Sequence, residues 1–144
     1  MTALESAALA LAAALLGAAD SDEASRRAAI EAPSRLCGMM AGKAADELAR
    51  LRAAEDVDEI VELAALINIR QKGFERWWTF TRPGHPAYPA YVCSWPRERD
   101  GLFEMGMDGK CGMDGDACMA FFYEMKVRNA ELTREMRALR ARQD

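Results

Sequence analysis

The stretch Trp77-Trp78-Thr79-Phe80-Thr81, closed by Arg82-Pro83-Gly84, is dense in aromatic and β-branched residues and ends in a turn signal. It predicts a strand. It also marks a change of period, because apolar residues recur at helical spacing before Gly73 and run extended after it. Downstream, residues 88–95 form a second aromatic-rich extended run, punctuated by Pro86, Pro89 and Pro96, which confine it to an edge or to strand ends. A turn follows at residues 97–101, with Asp100-Gly101 as its hairpin signal. Leu102, Glu104 and Gly106 then alternate with Phe103, Met105 and Met107, so one face is apolar. Three such runs predict a three-stranded antiparallel meander whose apolar face helices must cover.

Working upstream, Leu36, Met40, Ala44, Leu48 and Leu51 recur at spacings of four and three, the stripe of an amphipathic helix starting near Pro33. Residues 22–32 have helical composition ahead of it. Asp56 followed by Glu59 fits a capping box, and Val57, Ile60, Val61, Ala64 and Ile67 predict a third helix running to about Phe74. At the other end, a long helix capped by Asp114 should run to about Arg142. Its stripe is Cys118, Phe122, Met125, Asn129, Leu132, Met136 and Leu139, a seven-residue repeat with one polar member. Such a stripe either lies across the sheet or, beyond Arg128, pairs with a second copy to make a homodimer. The expected fold is α+β, with N-terminal helices, a three-stranded antiparallel meander and a long C-terminal helix, in one domain over residues 20–144.

Composition narrows the function classes. With 144 residues, 51% hydrophobic and 29% charged, the chain has the makeup of one globular domain. Its net charge of -4 argues against nucleic acid as a partner, since phosphate binding needs a basic surface. Residues 7–19 read AALALAAALLGAA, the h-region and cleavage site of a signal peptide, and too short to span a bilayer. Ahead of them stand Glu5 and no basic residue, so the alternative is an apolar leader helix in a cytoplasmic protein. The export reading places the protein in the periplasm or outside the cell, without an integral membrane anchor.

Four cysteines are an even number in a chain read as reaching an oxidising compartment. Cys111 and Cys118 enclose a glycine-containing loop that lets their β-carbons approach, so they form the first expected disulfide. Cys37 with Cys93 follows by elimination. The same region concentrates soft sulfur, and Met105, Met107, Cys111, Met113, Cys118 and Met119 make a periplasmic Cu(I) site the rival reading. Otherwise no cofactor is expected. An enzyme is a further alternative, with a site near the single histidine, His85. No nucleophile, base and orienting group stand together in the sequence, and no metal or phosphate-loop motif is present.

The segment around that histidine is stiffened by three prolines and surrounded by aromatics. Trp78, Arg82, His85, Tyr88 and Tyr91 are the residues expected to contact a partner, because aromatic anchors lose little entropy on docking. The reading that results is a non-catalytic binding or structural protein of the bacterial cell envelope. His85-Pro86-Ala87-Tyr88-Pro89-Ala90, together with the Cys-x6-Cys pair Cys111 and Cys118, resembles a group of small exported bacterial proteins. The resemblance covers residues 78–122. It implies a helical half followed by a small sheet and a cysteine-closed helix, and it brings no catalytic residues.

Overall fold

A computed structural model describes residues 34–72, 75–113 and 115–143. The leader at residues 1–19, the expected helix at 22–32 and the Asp114 cap lie outside them. The described chain begins with a two-stranded hairpin of β1 (Ser34–Leu36) and β2 (Met39–Ala41), followed by helix α1 (Ala44–Arg52). Five strands come next: β3 (Val57–Glu62), β4 (Leu66–Gln71), β5 (Arg76–Thr81), β6 (Ala90–Arg99) and β7 (Leu102–Cys111). The chain closes with helix α2 (Asp116–Ala141). All five pair antiparallel in the order β3-β4-β5-β6-β7, each beside its neighbour in sequence.

This corrects the sequence expectation of N-terminal helices and a three-stranded meander. Residues 57–71, read as a third helix, form the β3–β4 hairpin, with Ile60 opposite Ile69 and Val61 opposite Asn68. The period misled because Val57, Ile60, Val61, Ala64 and Ile67 fall at helical spacing, while four of the five are β-branched and prefer a pleated surface. In β4 the alternation is explicit: Ile67, Ile69 and Gln71 are buried, and the residues between them are not. The second expected helix likewise starts late. Cys37 and Gly38 both have positive φ, 52° and 77°, which makes a two-residue hairpin turn of residues assigned to a helix. Asp100 and Gly101, with φ of 53° and 74°, make the corresponding turn between β6 and β7.

Strand β6 also departs from expectation, since it is central and contains Pro96. The ladder explains how: β6 pairs with β5 only from Tyr91 to Ser94, whereas its pairing with β7 continues to Arg99. Pro96 therefore sits where the strand has outrun one neighbour, and its missing N–H takes no bond from that side.

The two faces of the sheet are clad differently. On one, Ile67, Ile69, Trp78, Phe80, Tyr91 and Cys93 pack under Leu36, Ala41 and Leu51 from the hairpin and α1. Phe80 and Tyr91 stack at 5.0 Å between ring centroids. The opposite face meets α2 over β6 and β7, where Val92, Phe121 and Met125 are buried with Ala87 and Ala90. The glycine at 109 permits this approach. A Cβ there would stand 2.6 Å from the Phe122 ring and 3.0 Å from Val92.

Two disulfides complete the frame. Cys37–Cys93 ties the β1–β2 turn to β6, and Cys111–Cys118 ties the end of β7 to the first turn of α2. Both pairings are those expected from the sequence. The Cys37 N–H also donates to Asp108 Oδ2 at 3.2 Å, fixing the turn to β7 beside its disulfide.

Candidate binding groove

Helix α2 covers β6 and β7 and leaves the β3–β5 part of its face open. The register places Glu59 and Val61 of β3, Asn68 and Arg70 of β4, and Trp77 and Thr79 of β5 on that uncovered surface, because side chains alternate across a strand. Between it and α2 lies a groove of about 430 Å³, within the range of small-molecule sites. Its helical wall is Met125, Arg128, Asn129 and Leu132, and Ser94 and Met105 close the inner side.

The helix is held at this distance along its length. Asn129 Nδ2 donates to Ser94 Oγ at 2.9 Å, and Thr133 Oγ1 accepts the Met105 N–H at 3.1 Å. Further along, Arg137 Nε donates to the Phe103 carbonyl at 2.6 Å, and the Arg140 guanidinium lies 4.8 Å from the Phe103 ring centroid. The repeat that suggested a second copy is thus turned to this protein's own sheet. Cys118 and Met125 are buried, Phe122, Asn129, Leu132 and Met136 are half-buried, and only Leu139 is exposed. The part beyond Arg128 does not project.

Polar groups in the groove are mostly engaged with one another. Thr79 Oγ1 donates to Asn68 Oδ1 at 3.0 Å, across the β4–β5 pair. Arg70 Nε meets Asp58 Oδ1 at 3.0 Å and its Nη1 stands 3.4 Å from Glu59. That guanidinium holds the Asp58 carboxyl below the usual carboxylate range, and the two acids raise Arg70 in turn. Arg128 differs: it is exposed and, among the described residues, makes no hydrogen bond, ion pair or ring contact.

The residues expected to contact a partner are scattered by the fold. Trp78 and Tyr91 are 0% and 1% exposed, so both belong to the core and cannot anchor a partner. Arg82 donates to the Leu63 carbonyl at 2.7 Å. His85 is half-buried, its Nδ1 accepts the Ala87 N–H at 3.0 Å, and its ring meets Phe121 edge-on at 5.6 Å. Tyr88, next to a cis Tyr88–Pro89 bond, is exposed. Segment 82–89 is therefore a self-bonded loop joining β5 to its antiparallel neighbour β6. Trp78 and its neighbour Trp77 both line the groove, and Trp77 is the half-buried one of the two. Strand alternation from Trp78 could have singled it out, since one of two adjacent tryptophans in a strand must face away from the core.

The soft-sulfur set is likewise divided. Met105 and Met107 are half-buried under α2, Met113 and Met119 are exposed, and Cys111 and Cys118 are bonded to each other. In that state the cysteines offer no thiolate. Among the described residues no group of three His, Cys, Asp or Glu side chains is placed to hold a metal ion. No helix among them is long and apolar enough to cross a membrane. Compared with protein-family models, curated proteins and solved structures, the chain matches none.

Proposed function

We propose that this is a non-catalytic binding protein of the bacterial cell envelope that holds its ligand in the groove between the β3–β5 face and α2. The observation that carries the reading is the incomplete cover of that face by the described residues, which leaves Val61, Trp77 and Leu132 around an open concave site. Among the described residues the one carboxylate lining it, Glu59, is paired with Arg70, and His85 is not part of the lining. The groove therefore offers surfaces for holding a molecule and no free base for attacking one. The two disulfides support an oxidising compartment. The apolar run at residues 7–19 and the resemblance to exported proteins support a periplasmic or secreted location.

Titration with N-phenyl-1-naphthylamine, an uncharged apolar fluorophore, tests the groove. Saturable binding to the wild type, lost in Val61→Glu with an unchanged thermal melt, is the expected result. Val61 is 40% exposed, so the charge enters the groove without entering the core. Absence of saturable binding, or equal binding by the variant, would remove the reading.

A further inference from the structure

We infer that the groove selects a small anionic amphiphile, with its apolar body along Val61, Trp77, Met125 and Leu132 and its acidic head on the Arg128 guanidinium. The inference rests on the binding reading above and adds the charge of the ligand to it.

Three features of the lining carry it. The hydrogen-bonding side chains of the lining are partly engaged with one another, Asn68 with Thr79 and Asn129 with Ser94. The cation on the sheet wall, Arg70, is shared between Asp58 and Glu59, so it has little to offer an incoming anion. Among the described lining residues, what remains is Arg128, on the helical wall. Glu124 and Glu131, one turn to either side of it, form no ion pair with it. A guanidinium presents a planar fork of donors that matches a carboxylate or sulfonate with two parallel bonds. Leu132 lies one helical turn from Arg128 on the same wall, and Trp77 lines the groove from β5, so a head at Arg128 leaves an apolar tail in contact with both. The occupant thus carries one acidic group on an aromatic or aliphatic body.

Two fluorophores with the same rings separate charge from shape: 8-anilinonaphthalene-1-sulfonate carries a sulfonate, and N-phenyl-1-naphthylamine lacks it. In Arg128→Gln the sulfonate probe should bind about fivefold more weakly while the uncharged probe is unaffected. Raising the salt concentration should weaken only the sulfonate probe. If both bind the wild type and Arg128→Gln alters neither, or weakens both alike, the anionic specificity is overturned and the groove reading stands. If Val61→Glu fails to remove either probe, the groove itself is not the site and both readings fall. Arg128 is exposed, so its replacement leaves the fold available for the measurement.

Discussion

The indole N–H of Trp78, fully buried, donates to the side-chain oxygen of Gln71 at 2.6 Å, and Gln71 in turn donates to Asp56 Oδ2 at 2.9 Å. This chain explains why a glutamine stands 3% exposed in an otherwise apolar face. Replacing Gln71 with Leu keeps the bulk and removes the acceptor, leaving the indole donor unpaired. Stability measured by urea unfolding should fall by about 1–3 kcal/mol. A change below about 0.5 kcal/mol would show that the indole finds another acceptor.

The disulfides should contribute unequally. Cys37–Cys93 closes a separation of 56 residues and Cys111–Cys118 one of 7. On loop-closure entropy, replacing the first pair with Ser should cost about 4 kcal/mol and the second about 2.5 kcal/mol. Denaturant midpoints of the two double variants test the order. A larger loss at Cys111 and Cys118 would mean that anchoring the first turn of α2 outweighs chain entropy.

Gly109→Ala should destabilise by about 1–3 kcal/mol, because the added methyl meets Phe122 and Val92 on a seam closed by α2. Pairing the change with Phe122→Leu should recover part of the loss by making room. Additive losses in that double variant would count against a steric origin.

Tyr91 supplies a pH dependence. Its hydroxyl donates to the Gly42 carbonyl at 2.5 Å, and burial, with a contribution from Glu47, pushes its pKa upward. The folded protein therefore holds the proton more tightly than the unfolded chain, which releases it near pH 10. Stability from this group is intact below about pH 10 and declines as pH climbs above it. Tyr91→Phe should remove that alkaline decline in a pH series of thermal melts. An unchanged decline would assign it to other groups.

How far these features were legible in the sequence depends on what each residue signals alone. Strand β5 was plain from its aromatics, the β6–β7 turn from Asp100-Gly101, and the disulfide partners from spacing and parity. The β3–β4 hairpin was hidden because a short apolar run fits helical and extended periods equally well, and only β-branching favoured the second. The β1–β2 turn was hidden more deeply, since Cys37 takes a positive φ that a cysteine does not advertise. The groove was not legible at all. It exists because a helix in one part of the sequence covers two strands and stops short of three others.

Both disulfides end in the β6–β7 half of the sheet, Cys93 in β6 and Cys111 in β7. Strand β3, at the far edge, is joined to the rest through its ladder with β4 and carries Ile60, Val61 and Leu63 beside it in solvent. Covalent restraint thus fades across the sheet, and the order in which the molecule opens follows from it. Amide protons of β3 should exchange with solvent deuterium first and those where β6 meets β5 and β7 last. The wall of the groove that α2 does not bind is then also the part of the sheet that yields most readily to an incoming molecule.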